Sequence, residues 1–223
     1  MRKTISFILL VILLIGIYYA IAQVHYGENK MEVSKHYINE GLKENGVTNI
    51  VTSVVLNYRG FDTLGEITIL FIGAIGLGLV LFGFETKRKD IMPASLILAT
   101  GCRFLFPLIL LLGIYIFVHG HLTPGGGFQG GAVIASGFLL SYIGCSKKRI
   151  SEKGINILES LGGTIFILIG LLGLLFSGYY LSNFLPKGTI NTLISGGIIP
   201  LLYIVIGLKV GVELAGIIYK LME

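Results

Sequence analysis

The sequence predicts an all-α integral membrane protein with about six transmembrane helices. Hydrophobic residues make up 54% of its 223 residues and charged residues only 13%, about half the charged share of a soluble domain. Mean hydropathy is +0.86, and the apolar residues fall in runs suited to a bilayer core of about 30 Å, which takes about 20 helical residues to cross. Glycine, at 32 residues, recurs inside those runs, where small side chains let membrane helices approach closely.

The runs place spans at 5–22, 63–84, 93–118, 129–145, 160–181 and 193–219. Arg2 and Lys3 before the first run, with Ala20-Ile21-Ala22 at its end, have the form of a signal peptide. The run exceeds the usual signal core, so a retained helix is expected. In the polar segment that follows, Ser34 is expected to cap a helix reaching to about Glu44, with Asn45-Gly46 as its stop. Residues 47–57 are too short and mixed to span, and are expected along the membrane interface or against partner protein. The two halves share no motif, which argues against an inverted-repeat transporter.

Counting Lys and Arg on alternate sides sets the orientation. One side takes Arg2, Lys3, Lys87, Arg88, Lys89, Lys147, Lys148, Arg149, Lys153 and Lys220, and the other Lys30, Lys35, Lys43, Arg59 and Lys187. Ten against five puts the first side, with both termini, in the cytoplasm. The net charge of +5 thus reflects topology. No basic cluster interleaved with aromatics points to nucleic acid. Cys102 and Cys145 lack Cys-x-x-Cys spacing, which removes a disulfide framework or thiolate metal site and leaves two buried thiols.

A charge at the centre of a lipid-facing helix costs about 2.5–3.5 kcal/mol, so each one inside a span needs a partner or a task. Arg59, Asp62 and Glu66 lie three and four residues apart on one helical stripe. Arg59 is expected to hold Asp62 at the outer interface, with Glu66 about 6 Å deeper. The group reads either as an interfacial ion pair that fixes helix depth or as a carboxylate site for a cation or proton. Lys209 and Glu213 stand one turn apart in the last span, again as a structural pair or as part of an ion path. On the same helix Gly207, Gly211 and Ala215 form a small-residue row on roughly the opposite face. A helix that suits lipid on neither face calls for protein on two sides, and a larger assembly is expected to supply it. Arg103 in the third span, and Glu159 opening the fifth, are read as snorkelling to the cytoplasmic interface.

The turn His119-Gly120-His121-Leu122-Thr123-Pro124-Gly125-Gly126-Gly127-Phe128-Gln129 joins the third and fourth spans. Two histidines at i and i+2 without acidic or cysteine company make a poor metal site. No Gly-Lys-Ser/Thr follows the glycines, so they are no phosphate loop. They permit instead a tight backbone and close helix approach, continued by Gly127, Gly131 and Ala135 down the fourth span. No metal site, cofactor site or catalytic residue emerges from any of these clusters.

The run GHLTPGGGFQGG resembles the glycine turn of the B subunit of the Mrp-type multisubunit sodium/proton antiporters, the MnhB family, and IGLKVGVEL resembles that family's last helix. The front part, with NIVTSVVLNYRGFDTLGE, resembles the end of the antiporter's large A subunit and a separate small subunit, MbhE, of archaeal membrane-bound hydrogenase. This divides the chain into an MbhE-like segment, 1–90, with two spans and an MnhB-like domain, 91–223, with four.

The resemblance implies a non-catalytic, multi-pass cell-membrane subunit of a sodium and proton translocation module. It belongs most naturally to an archaeal ferredoxin-dependent respiratory complex, a membrane-bound hydrogenase or sulfane sulfur reductase. A stand-alone antiporter subunit and a purely structural adaptor are the alternatives. The partners implied are other Mrp-type membrane subunits, membrane lipid and redox subunits that would hold any iron–sulfur clusters, with Na+ and H+ as transported ions. By motif match, the residues of interest are Asp62, Glu66, His121, Pro124, Gly125, Gly126, Gly127, Phe128 and Lys209.

Overall fold

The computed structural model describes residues 2–23, 31–81, 94–144 and 152–222, which form helices and turns with no strand among them. By packing they make two compact units, Met1–Lys35 and His36–Glu223. The first unit holds α1, Arg2–Ala22, whose apolar stretch Phe7–Ala22 is shorter than the five long spans. It is apolar on all sides, as helices in a membrane are. α2, Glu32–Asn45, begins in the first unit and ends in the second.

The second unit continues with the one-turn α3, Ile50–Thr52, which runs into a π-helical stretch at Ser53–Tyr58. The long helices follow: α4 (Gly60–Leu81), α5 (Leu96–Val118), α6 (Gly127–Gly144), α7 (Glu152–Ser177) and α8 (Ile199–Met222). Each has a stretch long and apolar enough to cross a membrane. With α1 they give the expected all-α, multi-pass architecture. Pro107 sits inside α5, as membrane helices tolerate where neighbours satisfy the freed backbone groups.

Several expectations are corrected. Ser34 is not a cap: α2 starts two residues earlier, and the Ser34 hydroxyl donates to the Met31 carbonyl at 3.0 Å. The stop at its other end is as expected, with Gly46 at φ +69°, a conformation glycine adopts without strain. The fifth span begins well before residue 160, so Glu159 lies inside α7 and does not open it. The last begins at Ile199, and residues 193–198 form a turn closed by Asn183. Its amide donates to the Gly196 carbonyl at 3.0 Å and its Oδ1 accepts from the Ile198 N–H at 3.1 Å. Residues 47–57 pack on this chain itself, with Val47 and Leu56 in its core. Cys102 is buried. Cys145 and the basic residues at 87–89 and 147–149 lie outside the described residues.

α8 is the hub. Of its apolar window 56% is buried, against 11–39% for the other four long helices, and it packs against α4, α5, α6 and α7.

Candidate ion-pair site and its glycine seam

The seam between α6 and α8 follows from spacing of four. Gly127 and Gly131 on α6 face Gly207 and Gly211 on α8, so two small-residue rows meet backbone to backbone. A methyl group added at Gly131 would stand 2.8 Å from Val210 Cβ and 2.9 Å from both the Gly207 carbonyl oxygen and the Gly211 nitrogen. One added at Gly127 would lie 2.6 Å from Ile206 Cγ2. Real Cβ atoms do not approach so closely, so only glycine permits this crossing.

The seam fixes the rotation of α8 and turns Lys209 and Glu213 to the other side, toward α7 and α4. Lys209 Nζ donates to Glu213 Oε2 at 2.5 Å, and the two side chains are 4% and 0% exposed. α7 makes room with glycines, since a methyl at Gly162 would stand 2.9 Å from Lys209 Cβ. α4 lays the Phe71 ring 5.5 Å from Lys209 Nζ, within cation–π range. Glu213 Oε1 is buried with no hydrogen-bond partner among the described residues. Lys209 is ten residues into a 24-residue helix, about 15 Å along it at 1.5 Å per residue, near the middle of the span. The protein on two sides of α8 therefore comes from this chain, and the need for a larger assembly does not follow from that helix.

The glycine turn is strapped down from the front of the chain. Asn49 caps α3 and its amide donates to the carbonyls of Gly120 (2.8 Å) and Thr123 (2.9 Å). Thr48 Oγ1 donates to the Leu122 carbonyl at 2.9 Å. Thr52 Oγ1 donates to the Gly120 carbonyl at 2.8 Å, so its contact with Tyr203 of α8, at 2.7 Å, has the phenol as donor. Gly126 holds φ +155°, where a side chain would meet Gln129 Oε1 at 2.7 Å and the Tyr203 ring at 3.4 Å. Phe128 packs on the core, while Pro124 and Gln129 are exposed. Asn49, Thr52 and Tyr203 are not among the residues that the sequence singles out. Asn49, a residue type preferred at helix N-caps, is the one legible signal among them.

The two histidines diverge. His119 stacks on Tyr115, ring centroids 4.2 Å apart, whereas His121 is fully buried, with Nε2 3.3 Å from the Thr192 carbonyl and Nδ1 without a partner among the described residues. Burial pushes the His121 imidazole below its usual range. The unfolded chain then binds more protons near and below pH 6.5, so stability falls as pH drops through that range. In detergent-solubilised protein, the melting temperature is expected to fall between pH 7 and pH 5, and His121→Gln should shrink that fall. Equal acid sensitivity in both proteins would remove the imidazole from the explanation.

Arg59, Asp62, Glu66 and Arg103 are not gathered at the pair. Arg59 and Asp62 form the expected ion pair, both partly exposed. Glu66 lies on the exposed face of α4, turned outward from this chain, while Thr63, Ile67 and Ala74 are among the buried residues of that helix. Arg103 is likewise exposed on α5.

Fold and site define a multi-pass, all-helical membrane protein that keeps a lysine–glutamate pair inside its central helix. The chain belongs to the family with a domain related to the MnhB subunit of Na+/H+ antiporter, which matches residues 97–216. A second family, MbhE, the E subunit of MBH, matches residues 1–95. An uncharacterised protein of Methanocaldococcus jannaschii is 35% identical over 84% of this chain and 79% of its own length. The B subunit of the Na+/H+ antiporter of Alkalihalophilus pseudofirmus is 33% identical over 43% of this chain and 69% of its own. Among solved structures, a chain of the membrane-bound sulfane sulfur reductase, an archaeal respiratory membrane complex, matches with TM-score 0.80 and 44% identity. That match covers 100% of this chain and 99% of the other.

Proposed function

We propose that this chain is a non-catalytic membrane subunit of an Mrp-type Na+/H+ translocation module, working within an archaeal ferredoxin-dependent respiratory complex. The observation that supports translocation is the Lys209–Glu213 pair, enclosed near the middle of the span on the central helix. A buried ion pair is weak support for stability, because hydrophobic residues of similar volume often serve as well. A task that uses the charges accounts for their presence better than packing does. The respiratory setting rests on the match to the sulfane sulfur reductase along nearly the whole of both chains, and on the MbhE match at the front. On this reading the chain joins an MbhE-like part, 1–90, to an MnhB-like part, 91–223, and redox centres belong to partner subunits. A stand-alone antiporter is the second reading, favoured by the likeness of the back part to an antiporter's B subunit. Glu66, outward on α4 at membrane depth, is proposed to meet a partner subunit.

The test is to purify the tagged chain from its native host and identify what accompanies it, then to measure sodium-driven proton movement in vesicles holding the intact complex. Iron–sulfur and other redox subunits together with ion movement are expected. Mrp-type subunits alone would replace the respiratory setting with the antiporter. An intact complex that moves neither ion would leave only the adaptor.

A further inference from the structure

The Lys209–Glu213 pair leaves one oxygen without a use. Glu213 Oε1 is buried and has no hydrogen-bond partner among the described residues, although a carboxylate in a low-dielectric site gains from every donor it finds. Its surroundings explain where a donor comes from. α7 and α8 pack antiparallel, and two contacts set their register: Gly216 packs on Ile155, and Gly162 packs on Lys209. Between these contacts the α7 position level with Glu213 is 158, where Leu158 is exposed, and the next residue, Glu159, is half-buried. Its charge acts on Glu213, and it lies three and four residues before Gly162 and Gly163, the glycines that accommodate the Lys209 side chain. Glu159 is half-buried where Glu213 is fully buried. It stands five residues inside the span that begins at Gly154, about 7.5 Å from the end of the bundle where α7 enters and α8 leaves.

We propose that Glu159 is the proton-exchanging carboxylate that connects the buried Lys209–Glu213 pair to that end of the bundle. The proposal rests on the translocation reading above and adds to it a residue and a direction of access. Two acids and one lysine carry a net charge of −1 when both acids are ionised. In the loading step, Glu159 takes a proton from water at the bundle end. Its O–H bond then breaks as one forms at Oε1 of Glu213, while Lys209 keeps its contact with Oε2. The cluster passes from −1 to 0, and release runs the same step backwards. No redox partner or second ion is needed. Among the described residues, the Phe71 ring faces the cluster from α4, and Lys220 lies two turns further along α8 at the bundle end, with Nζ against Gly78.

The arrangement separates a relay from a packing role, because the two demand opposite things of a substitution. Glu159→Gln keeps the shape and loses the proton, whereas Glu159→Asp loses a methylene and keeps it. Intact complex is reconstituted into vesicles with an internal pH-sensitive dye, a sodium gradient is imposed, and rates are normalised to assembled complex. Glu159→Gln is expected to slow proton movement tenfold or more, and Glu159→Asp to retain at least half the wild-type rate. Wild-type rates in Glu159→Gln overturn the proposal, as does the reverse order or failure of both variants to assemble. Glu213→Gln run alongside distinguishes the two levels. If it abolishes movement while Glu159→Gln does not, the relay fails and the translocation reading stands. If neither variant slows movement, that reading fails as well.

Discussion

Gly131→Ala is expected to destabilise the protein severely, while Gly73→Ala, the same change on another apolar helix, is close to neutral. The two positions look alike in the sequence. In the fold, a methyl at Gly131 meets α8 on three atoms within 2.9 Å, two of them backbone, whereas nothing lies within 4 Å of one at Gly73. Backbone atoms cannot swing aside as a lysine tip can, so α6 and α8 must separate along the seam that also sets the rotation of the ion-pair helix. Overpacking a close contact costs about 1–3 kcal/mol and sometimes more, and this seam holds the helix on which the other long helices pack. Melting curves and yield of the detergent-solubilised protein check this. A Gly131→Ala protein as stable as wild type would mean that the seam is loosely packed.

How much of the structure is legible in the chain follows from the range of each interaction. The Lys209–Glu213 pair and the Gly207–Gly211–Ala215 row are legible because both lie on one helix at spacing four, where periodicity alone fixes who meets whom. Arg59 with Asp62 is legible for the same reason. The clasp of Asn49 and Thr52 over Gly120 is not, since it joins residues about seventy positions apart through backbone carbonyls, and carbonyls have no sequence identity. The same limit explains why an outside partner around α8 looks necessary from the sequence. Its two faces demand protein, but that Gly162 and Gly163 make α7 narrow enough to close over Lys209 depends on the register between helices. Glu159 falls at an interface when the span is read to begin where the apolar run does. α7 continues for two turns before it, and that extension brings Glu159 within one residue of the level of Glu213. Glu66 shows the converse: its depth along the helix follows from the sequence, but the direction it faces is set by the packing of Thr63, Ile67 and Ala74.

Removing one member of the buried pair and removing both are expected to have opposite effects on stability and the same effect on transport. Lys209→Met leaves the Glu213 carboxylate enclosed without its lysine counter-charge, its side chain being 0% exposed. Breaking a buried pair this way costs about 3–5 kcal/mol, enough to deplete the assembled protein. The double variant Lys209→Met with Glu213→Met removes both desolvation penalties and fills the same space with flexible apolar side chains that suit irregular gaps. Its stability is expected to match the wild type or exceed it by about 1–4 kcal/mol. Sodium-driven proton movement in vesicles with equal amounts of intact complex is expected to vanish all the same, because no titratable group remains at mid-span on α8. A double variant that assembles and moves protons at the wild-type rate would reduce the pair to a packing feature and shift the weight to the outward-facing Glu66. A double variant that is stable yet inert would tie the charges of Lys209 and Glu213 to ion movement, independently of any role in folding.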